Sequence, residues 1–485
     1  MILSTYLKGL LGMICGASLW MFLDQTAVAQ EYCREDLGQR IDAIANRPEL
    51  TQAHLGILVE QQGQTPAERQ VILERNTDQW FVPASTLKLL TTAAALQRLG
   101  PDFQIETSVY ITPPGEQTNL YVIGRGDPTF TDTDLDNLVQ QISQQGIQHI
   151  DQLWGYDGYF PGRAIHPNWE WEDVLAGYGA SANGLILNEN AIGVTLYPTE
   201  IGQPLRVEWQ DTAQSHWQIN NTSRTVAMGE PITADIGRDW SQPLLHVFGN
   251  LPVDAGPDPF ALAITQPGNH FIEQLATRLI QAGITVNQTN LTPHWPRLDL
   301  VEIATVSSAP LSEWLSRINQ DSNNLHAEAL LKSLGLTTED PDDATQAGTE
   351  SVQEILNGLG VNADGYQMVD GSGLSRHNLV TPHTLVDTLQ AMAYSPHRDL
   401  YNHSLATAGE GGGLNYRYRN MPLQVQLQAK TGYVSNNESL AGYLQPTEHP
   451  PLVFSIFLNN ANLSATAMRQ IIDEMILTIA QLSEC

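Results

Sequence analysis

Between residues 81 and 100 the chain reads FVPASTLKLLTTAAALQRLG. Pro83 suits a first helical turn and Gly100-Pro101 is a stop signal, so the stretch predicts one helix. It is apolar on nearly every side, and a helix of that kind must be covered on nearly every side. The rest of the chain therefore has to wrap around it. Lys88 stands out in this setting, because lysine is rarely buried unless it is paired. Either it lies on an exposed stripe or its amine has a task inside.

The cover is legible at both ends of the sequence. HLGILVE (54–60) and RQVILERN (69–76) read as a β-hairpin across a Gln/Gly/Pro turn. Near the other end, LQVQLQAK (423–430) alternates strictly, with Leu423, Val425, Leu427 and Ala429 opposite Gln424, Gln426, Gln428 and Lys430. That is the pattern of a half-buried strand. ESLAGYLQ and PLVFSIFLNN add two more strands, and residues 465–482 read as a closing helix. Two strands from the start and three from the end make an antiparallel five-stranded sheet with helices over it, an α+β architecture. This domain comprises residues 30–105 and 300–485. Residues 106–299 carry strand-like pieces, turns rich in Gly, Pro, Asp and Trp, and one clear helix at 269–284. So long a stretch is more than a loop. It is expected to be a mostly β inserted domain, with a nested subdomain at 195–255.

The first 29 residues have one cation, Lys8, an apolar run from Gly9 to Leu23, and then Ala27-Val28-Ala29. This is the layout of a signal peptide. The apolar run falls short of the roughly 20 residues a spanning helix needs. Cleavage after Ala29 is expected, leaving a periplasmic or secreted chain with no integral membrane segment. The net charge of −30 is unchanged by that loss, since Lys8 and Asp24 cancel. A surface this acidic excludes nucleic acid and anionic membranes as partners and favours small or cationic ones. Of three cysteines, Cys15 leaves with the leader. Cys33 and Cys485, one near each end of the mature chain, form a disulfide in this hypothesis, and two free thiols in the alternative.

Only four lysines occur: Lys8, Lys88, Lys332 and Lys430. Two of the three outside the leader stand in special company, Ser85-Thr86-Leu87-Lys88 and Lys430-Thr431-Gly432. Residues three apart on a helix share a face, so the Ser85 hydroxyl and the Lys88 amine can touch. Serine needs a neighbouring base to become a nucleophile. Lysine serves as one only when burial or a second cation lowers its pKa. The apolar helix supplies the first, and Lys430 is expected to supply the second. The backbone N–H of Ser85, near a helix start, is available to a developing oxyanion. RINQDSNNLHAEALLK (317–332) places Ser322-Asn323-Asn324 in a polar loop between two helices. Ser-x-Asn also occurs at Ser181–Asn183 and Ser435–Asn437, but an inter-helix loop is the rigid place from which to point into a cleft. Plain helix capping is the alternative. His326 and Glu328 lack the spacing of a zinc protease, and no Gly-x-Ser-x-Gly elbow occurs.

Ser-x-x-Lys, Ser-x-Asn and Lys-Thr-Gly, in this order, resemble the signature of serine penicillin-binding proteins and β-lactamases. The long interval from Ser85 to Ser322 resembles in particular the D-alanyl-D-alanine carboxypeptidases of penicillin-binding protein 4 type. GDPTF (126–130), YGASANGLILNEN (178–190) and DGSGLSR (370–376) extend the resemblance over essentially the whole mature chain. It implies a transpeptidase-type domain of that fold and no metal or cofactor. The implied reaction is serine-type D-Ala-D-Ala carboxypeptidase or endopeptidase action on peptidoglycan peptides, with β-lactams as inhibitors. It also implies roles: Ser85 as the acylated nucleophile, Lys88 as its proton acceptor, and Ser322 and Asn324 along the cleft. Lys430 and Thr431 would hold the substrate carboxylate, with Gly432 next to them on the substrate side. The Tyr433 N–H would join that of Ser85 in an oxyanion hole. Asp157 falls where this family has a carboxylate for the diamino-acid side chain, although an acidic turn residue is the plain alternative. Two departures are visible. Tyr433 replaces a usually small residue and its ring is expected to narrow the cleft, while Asn323 stands where Asp is common. A β-lactamase or esterase on the same scaffold, and a non-catalytic wall-binding protein, are the competing functions. Homodimer formation is open in the sequence.

Overall fold

The computed structural model describes residues 33–483, apart from 64, 66–67, 211–216, 240, 297–298, 339, 420 and 422–424. The leader, Cys15, Leu423, Gln424 and Cys485 lie outside the described residues. Strands His54–Gln61 and Gln70–Arg75 form the expected antiparallel hairpin. The other edge of His54–Gln61 pairs with Leu452–Asn459 from the far end of the chain. The sheet continues through Asn437–Gln445 and Gln426–Val434 to a two-residue strand, Ala406–Thr407, antiparallel throughout. That sixth strand is too short to carry a period. The strand bearing Lys430 starts later than the alternation at 423 indicated and runs on to Val434.

The middle strands are buried on both faces, and the pleat divides their side chains between two cores. Ile57 and Val59 point with Leu440, Phe454 and Ile456 toward the terminal helices Arg34–Ala45 and Ala465–Ile479. Leu58 points the other way, with Ala441, Val453 and Phe457, toward the central helix. Each fully buried Leu, Ile or Phe side chain is worth about 1.5–3 kcal/mol. A one-residue slip would exchange every side chain between the cores, so the register is strongly fixed.

The central helix is Lys88–Arg98, and every residue from Lys88 to Leu96 is buried. Helices Leu311–Asn319, Asn324–Gly335, Ala344–Gly358 and Pro382–Tyr394 supply its cover. One difference from the sequence reading matters. Ala84–Leu87 is a 3-10 turn leading into the α-helix. Side chains three apart eclipse in a 3-10 turn, which sets Ser85 directly against Lys88.

The inserted unit has its own five-stranded sheet, in the order Thr285–Thr292, His149–Tyr156, Asn119–Ile123, Glu106–Ile111, Val301–Ser307. Its last strand lies past the expected edge at 299. Helix Pro267–Gln281 corresponds to the one read from sequence, and a second, Asp132–Gln144, was missed. The signal was present: a Thr131/Asp134 capping box, then Leu135, Leu138, Val139 and Ile142 on one face. Small sheets between Ala191 and Ala263 surround a separate core containing Val194, Leu245, Val247 and Leu251.

Candidate active site

Ser85, Lys88, Ser322, Asn324 and Lys430 come together where the central helix, the inter-helix loop and the sheet meet. Lys88 Nζ lies 2.8 Å from Ser85 Oγ, 2.7 Å from Asn324 Oδ1 and 2.6 Å from the Ser372 carbonyl oxygen. Lys430 Nζ lies 2.8 Å from Ser322 Oγ and donates to the Thr431 carbonyl at 2.8 Å. The loop thus serves both amines, with Ser322 on Lys430 and Asn324 on Lys88. Ser322 holds φ at 60°, a left-handed conformation that costs a non-glycine residue of order 1–3 kcal/mol. Asn323, rather than Asn324, caps the following helix by accepting from the His326 N–H at 3.1 Å. Asn324 is released to face Lys88, and its Nδ2 donates to the Tyr178 carbonyl at 2.9 Å.

Both amines are 0 % exposed. Burial disfavours the charged ammonium and brings Lys88 down to about 7, against the upward pull of Asp370 and Glu328. Lys430 is held well below its ordinary value, first by burial and then by the Lys88 charge. The repulsion is mutual, so each ammonium disfavours the other. The third lysine is buried as well: Lys332, 4 % exposed, donates to the Ala182 carbonyl at 2.7 Å.

Gly432 explains why the sheet can approach the Ser85 turn so closely. A Cβ there would stand 2.6 Å from the Pro83 carbonyl oxygen and 3.0 Å from the Ser85 nitrogen. Ser439 on the neighbouring strand donates to the same carbonyl at 2.6 Å and locks the turn to the sheet. On its outer side this strand pairs with Ala406–Thr407 only at Gln428 and Ala429. From Lys430 to Val434 that edge has no partner strand among the described residues, so its backbone groups are available to an extended ligand.

One expectation changes. Tyr433 is 43 % exposed with the Arg469 guanidinium 5.4 Å from its ring centroid. Arg469 belongs to the closing helix, on the sheet face away from the central helix, so the ring does not narrow the cleft. Asp157 lies in the inserted unit, outside the hydrogen-bond network of Ser85 and the two lysines. Its carboxylate accepts from Asn183 Nδ2 at 2.6 Å and the Leu185 N–H at 3.0 Å, bracing a turn of the inserted unit. Glu189, unremarked in the sequence, ties that unit to the loop by accepting from Asn323 Nδ2 at 2.8 Å and pairing with Arg317 at 2.7 Å. The Ser372 carbonyl, Glu328 and Asp370 also went unrecognised. Cys33 is disulfide-bonded.

A hydroxyl touching a buried, weakly basic lysine, backed by a second buried lysine beside an open strand edge, defines a serine acyl-transfer enzyme of the penicillin-recognising class. The chain belongs to the D-Ala-D-Ala carboxypeptidase 3 (S13) family, whose match covers residues 37–482. It is 33 % identical over 444 residues to a D-alanyl-D-alanine carboxypeptidase of Actinomadura sp. (strain R39), covering 87 % of this chain and 81 % of that one. It is 26 % identical over 406 residues to the D-alanyl-D-alanine carboxypeptidase DacB of Haemophilus influenzae, covering 81 % and 83 %. The crystal structure of penicillin binding protein 4 (dacB) from that organism shares the fold, with a TM-score of 0.76, 23 % identity and coverage of 92 % and 98 %. The protein is a serine-type D-Ala-D-Ala carboxypeptidase acting on peptidoglycan peptides. Among the described residues no helix is long and apolar enough to cross a membrane.

Proposed function

We propose that Ser85 attacks the carbonyl between two terminal D-alanines while the neutral Lys88 amine takes its proton. The tetrahedral oxyanion is received by the backbone N–H groups of Ser85 and Tyr433. Collapse breaks the C–N bond, and the proton passes from Lys88, by way of Ser322, to the leaving D-Ala amine. Water then hydrolyses the Ser85 ester and regenerates the hydroxyl. Lys430 and Thr431 hold the terminal carboxylate, while Asn324 fixes the Lys88 amine. The observation that carries this reading is the Lys88 contact with Ser85 inside a site dry enough to keep an amine partly uncharged. The same ester formed on a cross-bridge makes the enzyme an endopeptidase as well. The decisive experiment is free D-Ala release from a stem pentapeptide, with mass mapping of a penicillin adduct. Stoichiometric acylation of the tryptic peptide holding Ser85 is expected, followed by slow deacylation. No adduct there sinks the mechanism, and rapid turnover of penicillin makes the protein a β-lactamase.

Export and a bridge between the chain ends complete the proposal: cleavage after Ala29, a periplasmic or secreted enzyme, and a Cys33–Cys485 disulfide. In support, Cys33 is disulfide-bonded, helix Arg34–Ala45 lies beside the closing helix in one core, and the Arg47 guanidinium pairs with Glu474 of that helix. Intact mass of the exported protein should match a chain starting at Gln30 with no thiol open to alkylation before reduction. Two alkylated cysteines without reductant would rule the bridge out.

A further inference from the structure

Helix Asn324–Gly335 is apolar over most of its length, yet it carries Asn324, Glu328 and Lys332 at four-residue intervals. That spacing puts all three on one face, and each reaches a different part of the molecule. Asn324 contacts the Lys88 amine at 2.7 Å. Lys332 holds the inserted unit through the Ala182 carbonyl at 2.7 Å. Between them Glu328, 3 % exposed, uses one oxygen, Oε1, to accept the Gly371 N–H at 3.0 Å and the Ser372 N–H at 2.8 Å. The Ser372 carbonyl is the closest of the three acceptors around Lys88. Thr91, one turn beyond Lys88, donates to the Gly371 carbonyl at 2.8 Å and clamps the same turn from the other side.

We propose that Glu328 is a positioning residue for the acylation step, holding the 371–372 turn so that the Ser372 carbonyl aims the Lys88 amine at Ser85 and placing a carboxylate charge near that amine. The proposal rests on Lys88 being the base. Glu328 touches neither Ser85 nor the substrate; it acts through the backbone of residues 371 and 372. A buried carboxylate in an apolar helix is costly unless partnered, and the two N–H groups and Lys332 are its partners.

The electrostatic surroundings are crowded. Asp370, in the same turn, opposes ionisation of Glu328, and Lys332 favours it. Burial, with Asp370 next, pushes the Glu328 carboxyl up to about 7. Behind them Asp343 and Asp157 face Lys332. His166 faces Asp370, Asp343 and Lys332. Lys430 repels the Lys88 charge, and Asp321 faces Lys430. Removing one negative charge from this set makes the Lys88 ammonium less favourable and moves its titration to lower pH.

The test is the second-order rate of acylation by a fluorescent penicillin from pH 5 to 9. It compares the wild-type full chain with Glu328→Gln and Glu328→Leu, each checked by thermal melting. Glutamine keeps an oxygen for both N–H groups, so it isolates the charge. Its acid limb is expected to fall lower, by less than about one pH unit because Glu328, itself near 7, carries its charge over only part of that limb, with a reduced plateau because a weaker base takes the proton less readily. Leucine releases the turn as well and should cost a further tenfold or more at the plateau. A Glu328→Gln profile that keeps the wild-type acid limb overturns the proposal even if Glu328→Leu does not fold, and so does an unchanged plateau in folded Glu328→Leu. A wild-type profile with no acid limb between pH 6 and 8 would instead overturn Lys88 as the base, which separates the two failures.

Discussion

The Ser85→Ala protein is expected to release no measurable D-Ala from a stem pentapeptide and to form no penicillin adduct. Loss of the nucleophile from a serine acyl-transfer site lowers kcat by on the order of 10⁶-fold. The fold should not notice. Ser85 is only half-buried, and the Lys88 amine bonded to its hydroxyl keeps Asn324 and the Ser372 carbonyl as partners after the substitution. Stability within about 0.5 kcal/mol of wild type is the expectation for a change that empties no core position. Loss of both activities with an unchanged melting curve is therefore the signature to look for. Residual acylation at more than about a thousandth of the wild-type rate would place the nucleophile elsewhere.

Lys88→Met should be the second most damaging change. Methionine fills similar space in the buried helix but offers no lone pair for the Ser85 proton. General-base assistance is worth about 10²–10⁴-fold, and a fall of about 10³-fold in the acylation rate is expected. The pH profile makes the assignment specific. Below about 7 the wild-type Lys88 is an ammonium with nothing to accept a proton, and above it the free amine accumulates. Wild-type acylation should therefore rise as pH increases through about 7, and the residual rate of Lys88→Met should lose that rise. If the limb survives in the variant, another group supplies the base, with Lys430 as the next candidate because it too is held far below its ordinary value.

The two lysine motifs were legible because they are local and because lysine is scarce. Ser85 and Lys88 lie three residues apart, and Lys430-Thr431-Gly432 sits inside one strand. The role of Gly432 needed coordinates, since its reason is the Ser85 nitrogen 3.0 Å from where a Cβ would stand. Glu328 shows where the reading stopped short. Its spacing from His326 excludes a zinc motif, yet it is a charge inside an apolar helix and stands out by the same physics as Lys88. The Ser372 contact left no such trace, because a backbone carbonyl carries no sequence signal. The placement of Asp157 came from the resemblance alone. Its partners within the chain, Asn183 and Leu185, lie in a turn whose shape no local period encodes.

By itself the sequence determined that a greasy helix must be enclosed, that strands from both ends enclose it, and that a serine and two lysines carry the chemistry. Those facts follow from side-chain periodicity and from the cost of burying an amine, both of which are written residue by residue. Only the tertiary structure decided that both lysines are fully buried, which way Tyr433 faces, and that a carboxylate from another helix steadies the base. These depend on distances across the fold, and Coulomb energies and desolvation are set by what surrounds a group in space.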